Sequence, residues 1–433
     1  MGAGRRAARG APVSVELSVV VPALNEGASI GELIRRVARR LERLSVAGEI
    51  LVVDGGSTDG TPRWAAEAGA RVLAQPGHGY ADALLAGLAA AAGRFVLTMD
   101  ADDSHDPDFV DALWARRDAA ELVVASRYVP GGHAQMPLAR RLLSRVLNAV
   151  GRWVLSLPVR DLSSGYRLYR RAALPTAGVR AVHFDVLIEL LTRVHGEGWR
   201  IAEVPFHYRP RHRGRSHVAF LPFARAYART LARMWALRNS LESADYDDRA
   251  FNSRIPVQRF WQRRRYAIVL GFLGHAERVL DLGCGSSKIL EALPHAVGLD
   301  LNFKPLRFRA RTNRLLVNGD IGALPFRPGA FGAVVCSEVL EHVPAHPALL
   351  AEMRRVLAPG GTLVVGTPDY GRWQWRWIEW WYKRLLPGAH GHHHVERYTE
   401  ASLRARLGEA GFRVLAARSI CRAELILRCV RDA

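Results

Sequence analysis

The stretch TMDADDSHDPD, from Thr98 to Asp108, sets five aspartates into a chain whose formal net charge is +20. Asp100 and Asp102 follow the apolar run FVLTM and stand two residues apart. At that spacing two carboxylates can share one hard cation, which in turn neutralises a diphosphate. The competing reading is that such acids cap the helix that follows. Asp106, directly before PDFVDALW, has the context of a cap, while Asp103 and Asp108 read as solvated. Taken alone, Asp100 and Asp102 leave both readings open.

The elements that must position these acids form a regular alternation. From Leu17 the pattern reads strand LSVVVPAL, helix SIGELIRRVARRLERL, strand EILVVD, a glycine-rich turn, a helix, strand RVLAQ, helix YADALLAGLAAAAG and strand RFVLTMD. Short β-branched runs between helical periods predict a parallel α/β sheet wound on both faces. Ligands of such sheets bind beyond the C-terminal ends of the strands, where Asp100 and Asp102 fall. A second alternation begins at Arg278 with RVLDLGCG. The chain, at 433 residues, exceeds what one core usually supports, so two doubly wound α/β domains are expected. The expected division is a flexible basic tail 1–15, a first domain 16–217, an amphipathic basic helix 218–239, a polar, locally acidic linker 240–256 and a second domain 257–433.

Composition narrows the partners. Only three of the 61 basic residues are lysines. The arginine excess suits phosphates, pyrophosphates and anionic lipid surfaces, or reflects codon bias in a GC-rich genome. No nucleic-acid-binding module is recognisable, so no nucleic acid partner is expected. The four cysteines, Cys284, Cys336, Cys421 and Cys429, form no CxxC pair, which fits a reducing compartment. The N-terminus has charge without a following apolar core, so it is not read as a secretion signal. No window reaches about 18 uninterrupted apolar residues, so contact with a membrane would be peripheral. The expected location is cytoplasmic, on the inner face of the cell membrane.

Six ordered motifs, VVVPALNE, VVDGGSTDGT, MDADDSHDP, ASRYVPGG, DLSSGYRLYRR and VPFHYRPRHRGRSH, resemble the dolichyl-phosphate mannosyltransferase branch of inverting family 2 glycosyltransferases, over about Leu17 to His217. The resemblance implies a GT-A-type nucleotide-sugar domain. On it, Pro22, Asn25 and Glu26 line the nucleotide pocket and Asp54 contacts the base. Asp100 and Asp102 bind Mg²⁺ or Mn²⁺ on the donor diphosphate, and Arg127, Arg211 and Arg213 hold phosphates, for which bidentate guanidinium contacts are apt. Three positions depart from the pattern: Gly55 replaces a second acid, Ser104 a metal-contacting Gln, and His217 a Lys. GDP- and UDP-linked sugars stand equally as donors.

The acceptor follows from an absence. A sugar hydroxyl needs a general base as it attacks, and no Glu-Asp pair occurs in a later loop; Asp161 stands alone before LSSGYR. A lipid phosphate is already anionic and needs only positioning. A polyprenyl phosphate acceptor is therefore expected, with a cell-wall glycan hydroxyl served by Asp161 or another acid as the alternative. The segment 218–239 carries Phe220, Phe223, Tyr227, Leu231 and Met234 on one helical face and Arg225, Arg229 and Arg233 on another. It reads either as an interfacial helix or as a helix packed on the first domain.

The run RVLDLGCGSS ends a strand in Gly283-x-Gly285, and AVGLD ends a second strand in Asp300. With NGDIGALPF, FGAVVCSEVLEHVP and VLAPGGTLVVGTP, these resemble the class I S-adenosylmethionine-dependent methyltransferases over about Val279 to Arg428. The resemblance implies a Rossmann-like domain using S-adenosyl-L-methionine. Asp281, Gly283 and Gly285 would surround its methionine part, Asp300 the ribose, and Asp320 with Ile321 the adenine; Ser287 replaces the motif's third glycine. His342, His390, His392, His393 and His394 are candidates for the base that takes the acceptor's proton. The HGHHH tract reads as a lid, as a proton-handling group or as metal ligands. Five of the eleven tryptophans lie between Trp373 and Trp381. On a helix Trp373, Trp377, Trp380 and Trp381 share a face, which fits a membrane anchor, a sugar-stacking wall or burial in the domain. The expected whole is a bifunctional enzyme, with one domain serving only as a binding module as the alternative.

Overall fold

The computed structural model describes residues 14–175, 177–209, 220–313, 315–344, 347–385 and 394–432. The described residues fall into two compact units that divide after Met234, with 196–198 grouped with the second.

The first unit is built on nine strands: β1 (Leu17–Ala23), β2 (Gly48–Asp54), β3 (Arg71–Ala74), β4 (Phe95–Thr98), β5 (Leu122–Ser126), β6 (His133–Ala134), β7 (Arg167–Arg170), β8 (Ile201–Pro205) and β9 (His207–Tyr208). Seven form one sheet in the order β3-β2-β1-β4-β7-β5-β8. The β-branched runs of β1, β2 and β4 are buried because helices cover both faces. The helix Ile30–Arg43 buries Ile30, Leu33, Ile34, Val37 and Leu41, one stripe at helical spacing, and turns its arginines outward. Parallel register sets Ala23 beside Asp54 and Val20 beside Thr98. The loops after β1, β2 and β4 therefore leave the sheet at one edge, which is what gathers Asn25, Asp54 and Asp100.

The expected parallel sheet is mixed. Strand β7 runs antiparallel between β4 and β5. Its sequence, RLYR, carries no β-branched run that would mark it. It is held through Arg167, fully buried, which donates to the carbonyls of Ser164, Leu187 and Leu162, each at 2.7 Å.

The second unit has β10 (Val279–Leu282), β11 (Val297–Asp300), β12 (Leu316–Asn318), β13 (Phe331–Ser337), β14 (Leu357–Pro368), β15 (Phe412–Ile420) and β16 (Glu424–Arg431), in the order β12-β11-β10-β13-β14-β16-β15. The first five are parallel and β16 pairs antiparallel with both neighbours. The reversal from β15 to β16 uses Cys421 and Arg422 with φ of 49° and 54°, as a two-residue hairpin turn requires. Leu282 pairs with both Leu299 and Cys336, so the ends of β10, β11 and β13 open on a common edge.

Residues 240–256, expected as a linker, fold into the second unit. They contain the helix Tyr246–Phe251, with Tyr246 and Ala250 buried. With only six residues and two apolar anchors, the helix shows no period long enough to read from sequence.

Candidate functional site

In the first unit, Asn25 takes a left-handed φ of 56° just past β1. Its amide donates to Ser57 Oγ at 2.9 Å, and its side-chain oxygen accepts from Thr58 N at 2.9 Å. The Glu26 amide donates to Thr61 Oγ1 at 2.8 Å. Asp54 Oδ2 accepts from the amides of Gly56 and Ser57, both at 3.1 Å, and its buried Oδ1 has no hydrogen-bond partner. Pro22 and Asp54 thus close strands β1 and β2, and Asn25 and Glu26 lie on the loop after β1, which is bonded to the loop after β2. At Gly55 a Cβ would stand 3.1 Å from Gln75 Oε1, so the Gln75 side chain lies beside the position that lost its acid.

Asp100 and Asp102 follow β4 as expected, and the histidine between them and the helix cap organises their surroundings. Burial pushes the pKa of His105 down, against the pull of Asp100 and Asp102, so the ring is neutral. Nδ1 accepts from the Asp100 amide at 2.9 Å, which leaves the proton on Nε2, 3.6 Å from Asp100 Oδ2. The ring stacks on Tyr166, with centroids 4.8 Å apart. Tyr80 donates to Asp100 Oδ1 at 3.3 Å, and burial pushes its phenol well above the ordinary value, so it remains a donor. Asp102 Oδ1 accepts from Ser104 N at 3.1 Å, while the buried Ser104 hydroxyl has no hydrogen-bond partner. Two carboxylates beside an unpartnered buried hydroxyl are an all-oxygen donor set, which fits a hard divalent cation. Asp106 is the cap: it accepts from Asp108 N at 3.1 Å and pairs with Arg36 at 2.7 Å. Asp108, expected to be solvated, pairs with Arg40.

Arg127 and Asp161, assigned separate roles from sequence, bond to each other. Arg127 donates to Asp161 through N at 3.0 Å, Nε at 2.8 Å and Nη2 at 2.7 Å. Asp161 is fully buried and also accepts from Ser164 N at 3.1 Å. Burial opposes its charge, but the Arg127 guanidinium prevails and holds the carboxyl below its ordinary range. Asp161, read as a general base, is thus engaged as the counter-ion of Arg127. Arg127 also donates to Ser163 Oγ at 2.7 Å, so its fork is turned toward this loop. Arg211 and Arg213 lie outside the described residues.

The helix Phe220–Arg238 takes the packed alternative. Tyr227 donates to the Leu147 carbonyl at 3.4 Å, Thr230 to Asp185 at 2.7 Å and Arg233 to Glu189 at 3.0 Å, and Met234 is buried. The exposed apolar stripe lies instead on the helix Leu138–Leu155, where Leu138, Leu142, Val146, Val150 and Trp153 are 72, 65, 49, 45 and 61% exposed. Arg140, Arg145 and Arg152 on the same helix are also exposed. The signal was present as apolar residues three and four apart, interleaved with arginine.

In the second unit a cavity of about 490 Å³ opens at the ends of β10, β11 and β13. Asp281, Gly283, Gly285, Asp300 and His342 line it, and so do Asp247 and Glu338, which sequence reasoning missed. Burial, with Asp247 and Asp300 adding repulsion, pushes Asp281 up to about 8. Its buried Oδ2 has no hydrogen-bond partner. Asp300 accepts from Gly285 N at 2.8 Å and Asn302 N at 2.7 Å. Gly283 has φ +61°, and a Cβ there would stand 2.4 Å from Val339 Cγ2. Four acids around a cavity of small-ligand size, two of them with an unpartnered buried oxygen, fit a cofactor carrying positive charge. Asp320 and Ile321 do not line this cavity: Asp320 is exposed and accepts from Gly322 N at 2.8 Å.

His342 and His394 meet with ring centroids 4.9 Å apart, while His390, His392 and His393 lie outside the described residues. Trp373, Trp377, Trp380 and Trp381 are 70, 58, 46 and 40% exposed, and Trp375 is buried. The aromatic face is therefore turned outward.

The Glycosyl transferase family 2 profile matches residues 18–177, and a Methyltransferase domain profile matches 222–417. The polyprenol monophosphomannose synthase of Mycolicibacterium smegmatis is 32% identical over 261 residues, covering 56% of this chain and 95% of that protein. The chain belongs to glycosyl transferase family 2 and carries a methyltransferase domain. An uncharacterized glycosyltransferase of Mycobacterium tuberculosis is 34% identical over 47% of this chain and 89% of its own length. Among solved structures, the glucosyl-3-phosphoglycerate synthase of Mycobacterium tuberculosis is 29% identical, with a TM-score of 0.40 over 52% of this chain and 79% of that one. The glycosyltransferase domain and the methyltransferase domain make the protein an enzyme of two activities.

Proposed function

We propose that the family 2 unit transfers a sugar from a nucleoside diphosphate donor to a polyprenyl phosphate, and that the second unit transfers a methyl group from S-adenosyl-L-methionine to that sugar or a related glycolipid. The observation that carries the acceptor reading is the Arg127–Asp161 pair, because it commits Asp161, the acid named as a base for a hydroxyl, to a guanidinium. A phosphate monoester dianion supplies its own nucleophilic oxygen, since its second pKa is about 6. Its oxygen bonds to the anomeric carbon as the bond to the donor diphosphate breaks, and the diphosphate leaves with the electron pair. Asp100 and Asp102 would hold Mg²⁺ or Mn²⁺, whose charge would compensate that leaving group when bound. Asn25, Glu26 and Asp54 would hold the nucleoside. The polyprenol monophosphomannose synthase from Mycolicibacterium smegmatis supports the acceptor class by its name.

In the methyltransferase unit, Asp281 and Asp300 would hold the cofactor, and His342, which lines the same cavity, would take the proton of the accepting hydroxyl. Among the described residues no helix is long and apolar enough to cross a membrane. Peripheral binding at the inner membrane face is supported by the exposed apolar stripe of Leu138–Leu155 and its flanking arginines.

The test compares polyprenyl phosphate with the corresponding polyprenol as acceptor. Transfer to the phosphate alone supports the proposal. Transfer to the polyprenol at a comparable rate overturns it.

A further inference from the structure

Glu341, His342 and His394 each offer a ligand atom, and these atoms lie within 4.8 Å of one another. Glu341 is fully buried; Oε2 accepts from Thr367 Oγ1 at 3.2 Å, and Oε1 has no hydrogen-bond partner. Glu338, three residues before it in the SEVLEH turn and held at φ 59°, has a second unpartnered buried oxygen, Oε1. Its Oε2 pairs with Arg265 at 3.1 Å. Arg265 also bonds Glu424 at 2.6 and 2.7 Å. One guanidinium therefore faces Glu338 and Glu424 while Glu341 sits close by in the interior. Buried carboxylates with unmade hydrogen bonds are costly unless a cation or a proton compensates them.

The surroundings of His394 match what a ligating imidazole needs. Its Nδ1 is 2.5 Å from Tyr370 Oη, and Tyr370 Oη is 3.4 Å from Glu379 Oε1. With the proton on Nδ1, the ring donates to Tyr370, whose own proton goes to Glu379, the kind of outer hydrogen bonding that orients a ligating imidazole. Trp375 stacks on the ring at 6.0 Å and fixes its plane.

We infer that Glu341, His342 and His394 form a binding site for a divalent first-row transition cation, with a coordination position open toward the cavity that His342 lines. Two imidazoles and one carboxylate suit Zn²⁺, Mn²⁺ or their neighbours. Resting on the methyl-transfer reading above, the site takes the hydroxyl that is to be methylated, or a pair of neighbouring sugar hydroxyls, as its exchangeable ligand. In this site His342 ligates the cation instead of taking the proton itself: the cation would lower the hydroxyl's pKa, the proton would leave to bulk water, and the resulting oxygen would attack the methyl carbon while the sulfur departs with the bonding pair.

The test measures metal without turnover. Full-length protein stripped with chelator is titrated with Co²⁺ and followed by its visible spectrum, then dialysed against Mn²⁺ or Zn²⁺ and its metal content determined. Wild type should show Co²⁺ bands of nitrogen and oxygen ligation without a thiolate charge-transfer band. His342→Ala and Glu341→Gln should each lose one equivalent that Asp102→Ala retains. Glu379→Gln should keep the equivalent with about 10–100-fold weaker affinity. Binding of S-adenosylhomocysteine to the variants shows that the fold survives. Equal metal content in wild type and His342→Ala, or no Co²⁺ bands in wild type, overturns the site while leaving the methyl-transfer reading in place. Metal binding without methyl transfer to any glycolipid overturns the assigned role and the methyl-transfer reading together.

Discussion

The Arg127–Asp161 pair separates a structural carboxylate from a catalytic one by experiment. Asp161→Asn keeps the size of the side chain and removes the charge, leaving Arg127, whose side chain is 11% exposed, without its counter-ion. Breaking a buried pair from one side costs about 3–5 kcal/mol. At about 2–4 °C per kcal/mol for a unit of this size, the first unit should melt roughly 6–20 °C lower. The folded fraction should keep transferring sugar, because no proton passes through Asp161. A general base would behave in the opposite way, with little change in melting and a loss of about 10²–10⁴ in rate. Thermal unfolding by circular dichroism, together with transfer measured well below the melting temperature, distinguishes the two. Unchanged melting with a rate loss of that size would refute the assignment. Replacing both residues by apolar ones, Arg127→Met with Asp161→Leu, should recover part of the lost stability, since the desolvated charges go together.

The raised pKa of Asp281, about 8 against an ordinary value near 3.9, means the folded site holds a proton that the unfolded chain releases between those values. Stability of the second unit should fall as pH rises from about 4 to 8. Affinity for the positively charged cofactor should rise over the upper part of that range by up to about tenfold per pH unit; a flat calorimetric profile from pH 6 to 8 would contradict this. Gly283→Ala should abolish cofactor binding, because the φ of +61° and the 2.4 Å approach to Val339 leave no room for a methyl group; unchanged affinity would show that the turn can move. Leu142→Glu with Val146→Glu should leave the melting temperature within about 1 °C and cut binding to anionic vesicles at least tenfold; undiminished binding would move the membrane contact elsewhere.

Much of this was legible in residue order because it depends on local pattern. The strands LSVVV, EILVVD and FVLT were readable as buried runs, and the parallel register that follows from them carries Asn25, Asp54 and Asp100 to one edge. What sequence hid was pairing at a distance. Arg127 and Asp161 are 34 positions apart, and only the fold shows that each satisfies the other. Asp247 was hidden because a six-residue helix in a polar segment has no period, although its amide bonds Ser286 Oγ at 3.0 Å and its side chain lines the cavity. His105 stood in plain view among the aspartates. Its role depends on burial against Tyr166, which no spacing reveals. The two amphipathic helices show the same limit. Both 138–155 and 218–239 carry apolar and arginine faces, and only tertiary packing decides that 223–238 is covered and the first exposed.

The most direct test of the central claim is transfer of label from GDP-mannose, UDP-glucose and related donors into organic-extractable product, with polyprenyl phosphate and Mn²⁺, by wild type and Asp102→Ala. The account predicts a labelled lipid with one of these donors, dependent on the cation and lost in Asp102→Ala. Donor hydrolysis without any lipid product, or a lipid product undiminished in Asp102→Ala, would contradict it.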